Sequence, residues 1–122
     1  MAPVITLEKF EFEESRYHRG DKGWLATTLL KAVRDQNLEA FDYPVAAYDM
    51  SNRNFSLENM DEFCWQVRRT LAADYETYPI ILDDLGQVAD GNHRICHAII
   101  DGVTTVKAYR LQYMPKPDFV DN

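Results

Sequence analysis

The segment Asp90-Gly91-Asn92-His93-Arg94 contains residue types that suit the binding of an anion. The residues before it favour a strand and those after it favour a helix, so it lies at a strand–turn–helix junction. The first N–H groups of a helix have no partner within the helix, and the helix dipole adds partial positive charge there. Gly91 lets a ligand approach the backbone, Arg94 offers a fork of donors, and His93 offers a donor or a proton shuttle. Asp90 is a candidate metal ligand or general base, and the five residues together predict a phosphate site.

The same segment also allows a purely structural interpretation. In that interpretation Asp90 caps the third helix, Gly91 makes the turn, and Arg94 pairs with surface carboxylates. Short glycine-containing motifs are not specific on their own. The surrounding elements are therefore needed to distinguish the phosphate site from the purely structural interpretation.

The composition is that of one acidic domain spanning residues 1–122. With 46% hydrophobic residues, the chain is long enough to bury a core. Its net charge is -7, and direct DNA binding is not expected because Lys and Arg supply most of the affinity for nucleic acid. The chain lacks an export signal and has no apolar run near the ~18 residues of a membrane span, so the sequence predicts a cytoplasmic protein without membrane contact. Cys64 and Cys96 do not have the spacing of zinc ligands, and we expect free, buried thiols.

Hydrophobic periodicity predicts four elements in the N-terminal half. Residues 4–7 alternate weakly and indicate an edge strand, whereas the polar residues 15–23 indicate a loop. Apolar residues recur at helical spacing over residues 24–37, which predicts the first helix. Residues 44–50, rich in Val, Ala and Tyr, predict a short strand.

The second helix has the strongest local signals. Ser56 is a favourable N-cap, and Glu58 falls in the first turn, where the helix dipole favours a negative charge. The helix carries a continuous apolar stripe, which consists of Leu57, Met60, Phe63, Cys64, Val67 and Leu71.

The C-terminal half predicts a hairpin followed by a helix. The apolar residues 79–82 indicate a buried strand, residues 83–86 a turn, and residues 87–89 a returning strand. The third helix begins at about His93 and ends at Asp101-Gly102. Its inward residues are Ile95, Ala98 and Ile99.

A final strand is predicted over residues 104–111, and the tail through Pro115 and Pro117 is predicted to be loose. Helices and strands interleave without a regular βαβ rhythm. The predicted fold class is therefore α+β, with a small mixed sheet and about three helices.

Residues 78–98 resemble the core of the ParB/sulfiredoxin-like superfamily. That family shows an apolar Pro-Ile strand, an acidic-Gly hairpin, a Gly-x-[His/Arg]-Arg motif, a helix with small residues and a closing strand. Residues 43–55, with Ser51-Asn52-Arg53, resemble its upstream part. The resemblance covers roughly residues 44–111, and the whole order of elements agrees as well as the motif.

The resemblance implies binding of a nucleoside triphosphate. ParB proteins bind CTP there, sulfiredoxins use ATP, and free-serine kinases of this fold phosphorylate an amino acid. Arg53 would close the opposite side of the site, and Asp90 matches the acidic residue of the kinase-like members, as a ligand of Mg²⁺ or as a base. With His93 it would form the catalytic pair. The residues that would cradle the phosphates are Gly91, Asn92, His93 and Arg94.

Two differences from the family argue against two of its known activities. Sulfiredoxins have a cysteine immediately before His-Arg, whereas this chain has Asn92, and Cys96 lies about one helical turn further on. We therefore expect no repair of sulfinic acids. ParB proteins read DNA through a later helix-turn-helix region, and the sequence ends before one would fit, so centromere binding is not expected unless a partner supplies it.

Three functional hypotheses follow. The first is an ATP- or CTP-binding protein, of which a magnesium-dependent phosphotransferase is the catalytic form. The second is an acidic, non-catalytic adaptor or inhibitor that binds a nucleic-acid-handling protein. The third is a ParB-like nuclease, for which the candidate residues are Asp90, His93 and Glu58.

Overall fold

The computed structural model describes residues 2–4, 16–51, 54–55 and 57–121. Within these ranges the fold is α+β, as predicted: three helices accompany a three-stranded antiparallel sheet and a four-stranded mixed sheet. The strands are β1 (Arg16–Arg19), β2 (Lys22–Leu25), β3 (Phe41–Pro44), β4 (Ile80–Leu82), β5 (Val88–Asp90), β6 (Thr105–Arg110) and β7 (Phe119–Val120). The helices are α1 (Ala26–Asp35), α2 (Met60–Ala72) and α3 (Asn92–Ile100).

The small sheet has the order β1-β2-β7 and corrects two predictions. The sequence predicts a loop at residues 15–23, but residues 16–25 form a hairpin that turns at Gly20, where φ is 62°. Trp24 and Leu25 belong to its second strand, so α1 begins two residues later than predicted. The polar composition of residues 16–25 does not indicate strands. The sheet is completed by β7, which pairs with β2 and lies about 95 residues further along the chain.

The C-terminal tail is tied down rather than loose. Trp24 donates its indole N–H to the carbonyl of Pro115 at 2.8 Å. The carboxylate of Asp118 accepts from the backbone N–H of Leu25 at 2.8 Å and from the hydroxyl of Thr28 at 3.0 Å. These contacts, together with β7, fix the tail to the hairpin.

The large sheet has the order β3-β6-β4-β5, with β4 and β6 parallel and the other pairs antiparallel. Successive side chains of a strand point to opposite faces. On β4, Ile81 therefore joins the cluster formed with α1 and β2, while Ile80 and Leu82 join the cluster formed with α3. The predicted strand at residues 79–82 and the predicted inward residues Ile95 and Ala98 are confirmed.

One prediction near the start of the large sheet is wrong, and the predicted N-terminal edge strand falls mostly on residues that the structure does not describe. The strand predicted at residues 44–50 lies earlier, because the pairing with β6 runs from Phe41 to Pro44 and the chain then enters a 3-10 helix at Val45–Ala47. The edge strand predicted at residues 4–7 is not present at Val4, which is 85% exposed. Residues 5–7 lie outside the described residues.

Helix α2 presents its polar side to the protein. Asn59 caps it by accepting from the N–H of Glu62 at 2.9 Å, whereas the predicted cap, Ser56, lies outside the described residues. Its buried residues are Gln66 and Thr70. The apolar stripe faces solvent instead, which reverses the usual orientation of an amphipathic helix.

The predicted turn at residues 83–86 is confirmed, and its first residue is a buried anchor. Asp83 is fully buried and accepts from the N–H groups of Leu85 and Gln87, both at 2.9 Å. Tyr17 of β1 donates its hydroxyl to the same carboxylate at 2.5 Å. Burial, followed by this hydrogen bond, raises the pKa of Tyr17, so the hydroxyl stays a donor. Asp83 thus joins the two hairpins.

Both cysteines are free, as predicted, but Cys64 is exposed and Cys96 only partly buried. None of the helices that the structure describes is long and apolar enough to cross a membrane.

Candidate functional site

Helix α3 begins at Gly91, within one or two residues of the predicted start. Gly91 is the N-cap and has φ 112°, a conformation that favours glycine. A Cβ atom there would also lie 2.6 Å from Cγ2 of Ile80, so both the backbone and the packing require glycine. No side chain caps this end of α3, and the first N–H groups of a helix have no partner within the helix.

The start of α3 opens into a cleft of about 550 Å³ that α2 closes on the other side. Four of the residues predicted to bind phosphate line the cleft: Gly91, Asn92, His93 and Arg94. The fifth, Arg53, lies outside the described residues. The described residues that line the cleft are Arg16, Asn54, Phe55, Trp65, Gln66, Arg69, Ala72, Ala73, Asp74, Tyr78, Ala89, Asp90, Gly91, Asn92, His93 and Arg94.

Arg94 is held by Asp90 of its own motif and by two backbone carbonyls just before β4. Its Nη2 lies 2.9 Å from Oδ2 of Asp90, one helical turn earlier. Its Nη1 donates to the carbonyl of Pro79 at 2.8 Å and to that of Tyr78 at 3.3 Å. Both side chains of the ion pair keep some exposure, 18% for Arg94 and 21% for Asp90. The guanidinium is therefore fixed at the cleft wall, and the Asp90 carboxylate is partly engaged.

His93 is neutral at pH 7. Its ring stacks on Phe55 with a centroid distance of 4.5 Å, and its Nε2 lies 2.6 Å from Oε1 of Gln66. Burial, followed by the nearby charge of Arg69, lowers the pKa of His93 to about 4. Because the amide oxygen accepts, Nε2 carries the proton and Nδ1 the lone pair. The ring therefore resists protonation at neutral pH, and it is not the charged donor that a phosphate clamp would use.

Asn92 is oriented by Tyr48. The tyrosine hydroxyl donates to Oδ1 of Asn92 at 2.8 Å. Burial is the main cause that raises the pKa of Tyr48 to about 12, so the hydroxyl remains protonated. With its oxygen engaged, Asn92 keeps its amide N–H groups as donors at the cleft.

The cleft has a small positive excess in an otherwise acidic protein. Among the described residues, three arginines line it, Arg16, Arg69 and Arg94, against two aspartates, Asp74 and Asp90. The carboxylate of Asp74 accepts from the N–H groups of residues 76 and 77, which lowers its pKa and keeps it charged. The described lining therefore carries one positive charge more than negative charges, in a chain of net charge -7, and this excess favours an anion over a cation in the cleft.

Sequence reasoning missed the α2 side of the cleft. Gln66 and Arg69 stand three residues apart on one helix face, and a polar pair at that spacing was the available signal. Arg16, from the segment predicted to be a polar loop, also lines the cleft. Glu58, a nuclease candidate, is not among the described lining residues, so the structure does not bring it together with Asp90 and His93.

The residues of the cleft suit a magnesium ion that is held mainly by the phosphates of a ligand. They do not form a metal site from protein side chains alone. Among the described residues, no group of three His, Cys, Asp or Glu side chains is placed to hold a metal ion. Mg²⁺ in nucleotide sites uses one or two carboxylates, the substrate phosphates and water. Asp90 would be the carboxylate, and the ion would need to compete with Arg94 for it.

No known family, curated protein or solved structure matches this chain. The resemblance to the ParB/sulfiredoxin-like superfamily therefore stays a prediction.

Proposed function

We propose that this protein binds a nucleoside triphosphate, ATP or CTP with magnesium, in the cleft between α2 and α3. One observation carries the proposal: the N-terminus of α3 and the arginines of three different elements line the same cleft. Helix N-termini favour anions through their unpaired N–H groups and the helix dipole. The resemblance of residues 78–98 to the ParB/sulfiredoxin-like superfamily supports the same ligand class.

The phosphates would lie at the start of α3. The backbone N–H groups of Asn92, His93 and Arg94 offer donors, and the Arg94 side chain is already oriented by Asp90. Arg69 of α2 lies on the opposite wall and would contribute a second positive charge. The ring of His93 takes a different role from the one that the sequence predicts, since it is neutral and its Nε2 is engaged with Gln66.

The base would lie against aromatic side chains. Phe55, Trp65 and Tyr78 line the cleft, and nucleobases stack on such rings with little sequence preference. A cleft of about 550 Å³ is within the range of small-ligand sites, which extends from about 300 to about 1,000 Å³. These features support nucleotide binding without favouring ATP over CTP.

The proposal extends to phosphoryl transfer. When bound, Mg²⁺ would neutralise charge on the phosphates, and Asp90 is the carboxylate placed to hold it. Asp90 would accept the proton from an acceptor hydroxyl, whereas the lowered pKa of His93 makes its Nδ1 lone pair a weak base. The reducing cytoplasm is the proposed compartment, because an exposed thiol such as Cys64 persists there as a free thiol.

A thermal-shift screen tests the binding. ATP, CTP and inorganic triphosphate are each added with and without Mg²⁺ to the full chain. Ligand at a hundredfold excess over Kd adds about 2.7 kcal/mol, which corresponds to a rise in Tm on the order of 10 °C for a domain of this size. A screen in which no nucleotide raises Tm contradicts the proposal.

The variant Asn92→Asp localises the site. It places a carboxylate at the start of α3 while keeping an acceptor for Tyr48, so we expect the fold to persist and the nucleotide shift to disappear. The matched control is Asn37→Asp, the same change after α1 and outside the cleft lining. The control should retain the full shift, and an equal loss in both variants would place binding elsewhere.

Phosphoryl transfer is tested separately from binding. The protein is incubated with the nucleotide that binds, with Mg²⁺ and with a panel of small hydroxyl acceptors that includes free amino acids. Formation of the nucleoside diphosphate that requires an acceptor and disappears in Asp90→Asn supports a phosphotransferase. Binding without any diphosphate limits the function to nucleotide binding.

A further inference from the structure

The outer face of α2 is an apolar surface directed at solvent. We call it the outer stripe, and it consists of Met60, Phe63, Cys64, Val67 and Leu71. Met60 is 71% exposed and Leu71 57%. Contiguous apolar surfaces of this kind mark interaction sites in folded proteins. The cleft-lining residues Gln66 and Arg69 lie on a different face of the helix, and the two surfaces meet at Ala72 near the end of α2.

The spacing of the outer stripe is that of a coiled-coil seam. Met60, Cys64, Val67 and Leu71 are separated by four, three and four residues, which corresponds to the d, a, d, a positions of a heptad. In that register Asp61 and Arg68 both occupy e positions, seven residues apart on one edge of the seam. The pattern therefore suits the packing of another helix along α2.

The charges along α2 are complementary to those of a second, reversed α2. The acidic residues of the helix, Asp61 and Glu62, lie in its first turn, and Arg68 and Arg69 lie near its end. In a parallel pair, e positions face g positions of the partner, which here are Phe63 and Thr70, so no pair of opposite charges would form along the seam. In an antiparallel pair related by a two-fold axis, Asp61 of each copy meets Arg68 of the other, and the two helix dipoles are opposed.

We propose that the outer stripe binds a second copy of this chain, with the two α2 helices antiparallel. The seam layers would then pair Met60 with Leu71 of the second copy, and Cys64 with its Val67. A helix of 13 residues is about 20 Å long, so the interface is at the small end of specific interfaces. We expect a dissociation constant on the order of tens of micromolar.

Sedimentation equilibrium of the full chain, from about 5 µM to about 500 µM, measures this association. The wild type should change from monomer to dimer across the range. Val67→Glu, which places a charge in the seam, should remain monomeric throughout. The matched control is Leu30→Glu, a change at a leucine of similar exposure on α1 (42% against 39% for Val67), and it should dimerise like the wild type.

Charge exchange tests the antiparallel arrangement. Asp61→Arg alone and Arg68→Asp alone place like charges opposite each other twice per dimer, so each should weaken dimerisation by about tenfold or more. An equimolar mixture of the two variants restores both opposite-charge pairs and should form heterodimers at least as tightly as the wild type. A folding defect in either variant would not be repaired by mixing.

Three results would overturn the proposal. One is a wild type that stays monomeric to the highest concentration, in which case the outer stripe serves another protein, as the adaptor hypothesis expects. The second is a Val67→Glu variant that still dimerises, since the interface would then lie elsewhere. The third is a mixture that recovers no affinity, which excludes the antiparallel pairing of Asp61 with Arg68.

Discussion

The Asp90 carboxylate lies 2.9 Å from the Arg94 guanidinium, across the first turn of α3. This contact joins the two motif residues with the greatest capacity for phosphate chemistry. It orients the arginine at the cleft wall, and it also removes part of the positive charge that an anion would meet. Binding of a phosphate and release of Asp90 toward a magnesium ion are therefore expected to be coupled.

Asp90→Asn separates these two roles. Without its carboxylate partner, Arg94 meets the phosphates with its full charge, so we expect nucleotide without Mg²⁺ to bind several-fold more tightly than in the wild type. The increase in nucleotide affinity that Mg²⁺ produces should be smaller than in the wild type, because the carboxylate ligand is lost. Isothermal titration calorimetry with and without Mg²⁺ measures both effects.

The control for that variant is Asp42→Asn, which removes an exposed carboxylate that pairs with Lys107 outside the cleft lining. It should leave both affinities unchanged. If Asp90→Asn weakened the magnesium-free affinity, the carboxylate would be needed to orient Arg94 rather than to restrain it.

His93 should make the stability of the fold depend on pH. Its pKa is about 4 in the folded protein against an ordinary value of 6.5, so the unfolded chain takes up a proton that the folded protein refuses. Its contribution is fully present above pH 6.5 and is lost as the pH falls toward 4. Because His93 is only partly buried, we expect a loss of about 1–2 kcal/mol. Urea unfolding at a series of pH values measures it.

His93→Gln should flatten that profile between pH 6.5 and 4. His18→Gln, at an exposed histidine of β1, should keep the slope of the wild type. Equal slopes in all three proteins would mean that other groups titrate in this range.

Gly91→Ala should destabilise the fold by about 2–4 kcal/mol. The new Cβ would lie 2.6 Å from a methyl carbon of Ile80 and would adopt φ 112°. Gly102→Ala is the matched control, because that glycine also has positive φ but a Cβ atom there would meet no other atom within 4 Å. It should cost only about 1 kcal/mol. Similar losses at both positions would mean that the packing against Ile80 adapts freely.

Tyr17→Phe should lower the free energy of unfolding by about 2 kcal/mol, since it removes a hydrogen bond to the buried charge of Asp83. Tyr113→Phe, at a tyrosine that is 59% exposed, should change little. Denaturant unfolding of the three proteins measures this difference. An unchanged stability in Tyr17→Phe would show that the turn, together with Arg19 at 3.5 Å from the carboxylate, holds Asp83 adequately.

The part of the fold that sequence predicted best is the stretch from β4 to α3. There the apolar run, the Asp83 turn and the helix ending at Gly102 are encoded by neighbouring residues, and the structure agrees within one or two residues. The β1–β2 hairpin was not predicted because its strands depend on β7 and on the contact between Tyr17 and Asp83, both distant in sequence.

Apart from Arg53, which lies outside the described residues, the candidate site was predicted only on its α3 side. A motif of consecutive residues identifies Gly91 to Arg94, but the opposite wall depends on which face α2 turns inward. The sequence pattern of α2 favours burial of its apolar stripe, whereas Gln66 and Thr70 are the residues that are buried. The hydrogen bond between Gln66 and His93 helps explain this orientation, and single-sequence periodicity does not reveal such a pairing.

The most direct test of the central claim is an NMR titration of the ¹⁵N-labelled wild type with ATP and with CTP, each with Mg²⁺. Backbone amide signals report on the N–H groups that are proposed to hold the phosphates. We expect the largest and saturable shifts at Gly91, Asn92, His93 and Arg94, together with a shift of the Trp65 indole. Saturable shifts confined to residues outside the cleft, or no shifts with either nucleotide, would contradict the claim.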